Sequence, residues 1–150
     1  MSQPFISYLL KQQQNRQWDF FLQSFVRVLS DQLSNDDLRD LMQRIGHEAA
    51  TELQLDQVST LDDLEKLLNT FWEQVQWGVV SLEEKEGALL IKHSYSPLVV
   101  TFKEEDLAWF VGFLEGLYQH VFNRLGAGSD LQVQRVQTDE KESLSFQLSS

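Results

Sequence analysis

Three histidines, His47, His93 and His120, are the first candidates for chemistry, because imidazoles at a helical or hairpin spacing offer ligands to a metal. None stands at such a spacing from another His, Asp or Glu. His47 and Glu48 are adjacent and so project to different parts of a helix surface. No metal site is expected. Carboxylates are plentiful, at Asp36/Asp37, Asp62/Asp63, Glu83/Glu84/Glu86 and Glu104/Glu105/Asp106. A glycosidase needs two of them held across a cleft. Three clusters instead sit where helices are expected to begin, where acids complement the positive helix end. The fourth sits in an expected turn. No Gly-x-Ser-x-Gly elbow, P-loop or Gly-x-Gly-x-x-Gly is present. Gly126-Ala127-Gly128-Ser129 lacks the lysine and following helix of a phosphate loop and reads as a helix stop. No catalytic residue and no cofactor is expected.

Glu115 stands apart from the other acids, since it lies inside an apolar helical run between Leu114 and Gly116. Two readings are open. It faces solvent on the polar side, or it is buried and hydrogen-bonded to backbone or to a neighbouring subunit. Burying an unpaired charge is costly, so the second reading demands a partner.

The elements that would position these residues are legible from periodicity. Trp18, Phe21, Leu22, Phe25, Leu29 and Leu33 recur at helical steps, and Phe20, Val26 and Val28 widen the stripe. A helix apolar on more than one side is usually covered on more than one side. Asn35 is expected to cap a second helix running to about Leu53, with a small-residue patch at Gly46, Ala49 and Ala50. Thr60 caps a third helix, with Asp63 placed as a capping-box acid. At Trp77 the period changes to two. Strands are expected at 77–82 and 88–95, around the turn Glu83 to Gly87, with Pro97 at or beyond the end of the second. An apolar helix follows over about Leu107–Arg124, with Gly112 and Gly116 marking close packing. Strands at 131–136 and 143–148 close the chain. No internal repeat is visible. The expected fold is α+β: an N-terminal helical layer, then hairpin–helix–hairpin, with a mostly antiparallel sheet. Residues 1–150 read as a single domain, with 1–11 a possible N-terminal arm ahead of the Gln-rich stretch at 12–17.

Composition narrows the partners. With 12 basic and 23 acidic residues the net charge is −11, which repels phosphate backbones and anionic lipid, so nucleic acid is not an expected partner. No apolar run reaches membrane-spanning length, and the N-terminus lacks the pattern of a signal peptide, so a cytoplasmic location without membrane insertion is expected. The absence of cysteine removes disulfides and thiolate chemistry. Ten Phe and four Trp are many large side chains for one small core, a pointer to subunit contacts.

Two short segments carry a resemblance. Trp77-Gly78-Val79-Val80, at the end of a Leu-rich helix, resembles the helix-to-strand junction of the family formed by the D subunits of bacterial cellulose synthases. Leu114-Glu115-Gly116-Leu117-Tyr118 resembles a segment of that family's later helix. Length, acidic balance and the order of elements also fit. The resemblance implies a non-catalytic accessory subunit of the synthase complex, near the inner membrane. It also implies a homo-octamer built from dimers, with β-1,4-glucan chains passing along inner channels and N-terminal arms near the dimer contacts. It assigns Trp77, Gly78, Leu114, Glu115, Gly116, Leu117 and Tyr118 to structure.

The arm carries Phe5 and Tyr8, aromatic faces suited to sugar rings, in a segment with too few apolar positions for a stable isolated helix. They are the candidate glucan-contacting residues. Equally open is that they plug a groove of their own subunit. The rival reading of the whole chain is a small acidic secretion chaperone, which is also α+β but stops at a dimer.

Overall fold

The computed structural model describes residues 3–150, and the side chains of these except Gln3 and residues 7–15. Two compact units are distinguished, residues 1–38 and 39–150.

In the first unit, α1 spans Gln3–Gln32 as one helix, rather than starting near Trp18. Gln, Lys, Arg and Leu are good helix formers, and polarity alone does not interrupt a helix. Its later half presents Trp18, Phe20, Phe21, Phe25 and Val28 to solvent, Phe20 at 78% exposure. Trp18 meets Phe21 edge-on at 5.9 Å, and Phe21 stacks on Phe25 at 5.8 Å. The next helix, α2, spans Asn35–Ala50. Ser34 rather than Asn35 supplies the capping oxygen, accepting from the Asp37 N–H at 3.1 Å.

The second unit contains α2 from Arg39 onward, then α3 (Leu61–Val75), β1 (Val79–Lys85), β2 (Ala88–Ser94), α4 (Pro97–Thr101), α5 (Glu104–Phe110), α6 (Gly112–Arg124), β3 (Gln132–Val136) and β4 (Ser143–Ser149). The fold is α+β with a four-stranded antiparallel sheet in the order β1-β2-β4-β3. Thr60 caps α3 in a full capping box with Asp63, and bonds from Ser59 and Thr60 hold the exposed Asp63 carboxyl below its ordinary value. The first hairpin turns on only two residues, Glu86 and Gly87, both at positive φ. That geometry matches the natural twist of paired strands and lets β1 run on through Lys85, where the charged run suggests a longer turn. Pro97 opens the short helix α4, capped by Ser96. The single helix expected after the acidic run is two, α5 and α6, meeting at Val111 with hydrogen bonds carried across the junction.

The glycines of α6 mark close packing, as their positions suggest. A Cβ on Gly116 would land on the backbone of Gln43, one on Gly112 against the carbonyl of Arg39, and one on Gly46 on the carbonyl of Phe113. Helices α2 and α6 therefore touch backbone to backbone. The core lies between helices and sheet. It contains Trp72 of α3, Leu114, Leu117, Tyr118 and Val121 of α6, and Val80, Ile91, Leu144 and Phe146 of the strands, all nearly inaccessible.

A helix followed by a hairpin occurs twice, as α3–β1–β2 and, with α6, as α6–β3–β4. The two hairpins join through β2 and β4, leaving β1 and β3 as edges. Each edge is closed by the helix of its own half. Glu65 accepts from the Leu82 N–H at 2.9 Å and Asn69 from the Val80 N–H at 2.7 Å. Glu115 accepts from the Arg135 N–H at 3.0 Å and Gln119 from the Val133 N–H at 2.7 Å. In both halves a Glu and an amide four residues later serve alternate N–H groups of a strand, so an unpaired row of donors is not left open.

Candidate functional site

Both family-motif segments converge on His93. Its Nε2 lies 2.7 Å from the Trp77 carbonyl and its Nδ1 lies 2.6 Å from the Tyr118 hydroxyl. A carbonyl only accepts, so Nε2 carries the proton and Nδ1 accepts from Tyr118. The ring is fully buried, and burial, opposed by the bond to Trp77, pushes its pKa down to about 4. Burial likewise raises the Tyr118 phenol far above its ordinary value. Trp72 packs against this pair, 4.8 Å from the His93 ring and stacked on Trp77 at 5.7 Å. Gly78, at φ 94°, lets the chain turn from α3 into β1 where a Cβ would strike the Ser94 carbonyl. Trp72, His93 and Tyr118 are locked and shielded from water, which suits a joint between α3, the sheet and α6.

Glu115 is buried, 1% exposed, and its partners are in the same unit. Arg39 grips it with two bonds, Nε to Oε1 at 2.8 Å and the guanidinium NH2 to Oε2 at 2.5 Å. Gln43 donates to Oε1 at 3.3 Å, and the Arg135 backbone donates to Oε2. The carboxylate therefore ties α2, α6 and β3 together. Leu114 and Leu117, close by in the same helix, are core residues, and Gly116 is a point of close approach to α2.

Beside this network lies an open groove of about 860 Å³ between α2, α6 and β3. On the side of the groove where His47 lies, that ring meets His120, Nδ1 to Nδ1 at 3.2 Å, with the rings at 70°. Only one proton fits between them. Burial first, then the charges of His47 and Arg124, lower the pKa of His120. Among the described residues no three His, Asp or Glu side chains stand close enough to hold a metal ion.

Of the two candidate contact residues, Phe5 is exposed near the start of α1. The Tyr8 side chain lies outside the described residues. Nothing in the sequence marks Arg39, Gln43, Asn69 or Gln119 as network members. Only the oddity of an acid inside an apolar helix points to Glu115's need for a partner. The bonds of His93 leave no sequence signal either, since Trp77 and Tyr118 lie 16 and 25 residues away.

Comparison with known proteins bears on these features. The family model for the D subunit of cellulose synthase matches residues 4–149. Cellulose synthase operon protein D of Komagataeibacter xylinus is 30% identical over 118 residues, 77% of this chain and 76% of that relative.

Proposed function

This chain belongs to the family of cellulose synthase D subunits, and from that premise we propose that it is a non-catalytic accessory subunit of a bacterial cellulose synthase. In this reading it assembles into a homo-oligomer larger than a dimer, an octamer built from dimers. It acts as a scaffold that guides nascent β-1,4-glucan chains and promotes their export and ordering. The observation that carries the reading is the aromatic stripe of α1. Trp18, Phe21 and Phe25 touch in series and are 45–57% exposed, and Phe20, about 100° further round the helix, is 78% exposed, on a chain of net charge −11. A contiguous exposed aromatic face marks an interaction surface, and another copy of the same helix offers the same aromatic groups in return. The locked, water-excluded joint around His93 fits a structural part better than a reactive one.

No helix among the described residues is long and apolar enough to cross a membrane. We place the protein at the cytoplasmic side of the synthase, with the other synthase subunits as its partners. Phe5 and Tyr8, at the start of α1, are the glucan contacts in this reading.

Light scattering of the purified protein tests the assembly. A mass near eight chains is expected, and Phe20→Ser with Phe21→Ser should lower it. A particle that stops at a dimer across the micromolar range overturns the scaffold reading. Deleting residues 2–8 should leave the fold and most of the assembly intact while lowering cellulose yield or crystallinity in a producing cell. Unchanged cellulose would remove the arm from the pathway.

A further inference from the structure

The groove between α2, α6 and β3 is unlike the rest of the surface. Its lining is dominated by uncharged hydrogen-bonding side chains: Gln43, Gln119, Asn123, Gln132 and Ser129, with the imidazole of His47 beside them. The charges in it balance. Asp40 and Arg44 both line the α2 side, and Glu115 is neutralised by Arg39. On a chain of net charge −11 this is a local neutral zone. A phosphate or carboxylate ligand would need an excess of cations, and a metal ion would need free carboxylates. Side-chain amides, each both donor and acceptor, match a ligand whose groups are also both, and that is the chemistry of hydroxyls.

The amides are also held in place. Gln119 donates to the Leu131 carbonyl at 3.0 Å and to the Asn123 Oδ1 at 3.1 Å, and accepts from Val133. Gln43 is anchored by its bond to Glu115. A wall fixed in advance loses less freedom when it binds. No Trp, Tyr or Phe lines the groove, so it lacks the stacking platform that would hold a sugar tightly. Open and read only through hydroxyls, it suits a polymer that must keep moving.

We propose that this groove is a contact site for a short stretch of neutral β-linked glucan, separate from the N-terminal arm and bound through side-chain amides. The proposal rests on the glucan-guiding reading above, and names a place where guidance occurs.

The test is saturation-transfer NMR with cellohexaose on the full-length protein, which suits weak binding to a large assembly. Four forms are compared: the parent chain, Asn123→Ala with Gln132→Ala, deletion of 2–8, and the two changes combined. Asn123 and Gln132 are exposed, so their variant should melt with the parent. The expected result is a transfer signal in the parent that falls at least threefold in the groove variant and survives in part after the deletion. If the groove variant keeps the full signal and the deletion abolishes it, the groove is not a site while the glucan reading stands. If the parent gives no signal at millimolar cellohexaose, the glucan reading fails and the groove with it.

Discussion

The Tyr118 hydroxyl reaches Nδ1 of His93 at 2.6 Å inside the core, donating to a ring whose tautomer the Trp77 carbonyl fixes from the other side. Its other nitrogen is committed to the Trp77 carbonyl, so the folded protein has no room for a second proton on this ring.

That commitment predicts an acid-sensitive fold. His93 has a pKa of about 4 when folded, against 6.5 as its ordinary value. The unfolded chain therefore takes up this proton first as pH falls. The stabilisation is complete above about pH 6.5 and is lost progressively down to about pH 4, amounting to about 3 kcal/mol. Urea unfolding at pH 7.5, 5.5 and 4.5 should follow that slope, and a flat profile across the window would contradict a neutral His93. Tyr118→Phe, which leaves Nδ1 bare, should cost about 1–3 kcal/mol at neutral pH.

The Arg39–Glu115 pair predicts an asymmetric pair of mutants. Glu115 is inaccessible, but the Arg39 side chain is 39% exposed. Arg39→Ala strands a buried carboxylate and should cost about 3–5 kcal/mol. Glu115→Gln leaves an arginine that can turn to water and keeps one acceptor oxygen, so about 2 kcal/mol is expected. Chemical denaturation of both variants checks the order, and a larger loss for Glu115→Gln would show that the arginine, not the acid, is the constrained partner.

Glycine replacement should invert the usual helix rule. An interior Gly→Ala change ordinarily gains about 1 kcal/mol. At Gly46 and Gly116 the new methyl meets backbone of the facing helix, which cannot swing aside as a side chain can, and a net loss of about 2 kcal/mol or more is expected. Thermal melting of Gly46→Ala and Gly116→Ala decides it, since a rise in Tm for either would mean that α2 and α6 are not in backbone contact there.

The helix-borne caps on the sheet edges predict an aggregation phenotype. Asn69→Ala frees both the N–H and the carbonyl of Val80, and Gln119→Ala frees the N–H of Val133. Each should cost about 1–2 kcal/mol, and together they should raise thioflavin-positive association on mild heating. Unchanged association would show that the edges are protected by other means.

Periodicity makes most of the elements legible, because the signal is local. The capping box at Thr60 and Asp63, the change to strands after Trp77 and the alternation through Leu144, Phe146 and Leu148 are all short-range patterns. Gly112 and Gly116 announce a close contact, though not that α2 provides it. What stays hidden depends on pairs far apart in the chain. Arg39 and Glu115 are 76 residues apart, and nothing around Arg39 distinguishes it from other surface arginines. The doubled helix–hairpin plan also leaves no visible repeat. Its kept features are single polar positions, Glu65 and Asn69 in one half and Glu115 and Gln119 in the other. Their strand partners follow at 17 and 11 residues in the first half, and at 20 and 14 in the second. The same three-residue lengthening of the connection preserves the geometry while erasing sequence alignment.

The strand order also has a meaning in time. β2 sits in the middle of the sheet, yet the neighbour that completes it, β4, begins at Ser143, about 50 residues after β2 ends at Ser94. During synthesis at the usual pace, roughly 2 to 10 s pass between them. For that interval one flank of a strand carrying Leu89, Leu90 and Ile91 has no mate. The hairpin with β1 can form at once, but the growing chain presents a half-finished sheet to its surroundings. That pause is when another nascent chain is the nearest wrong partner, and translation speed between Ser94 and Ser143 becomes a determinant of yield.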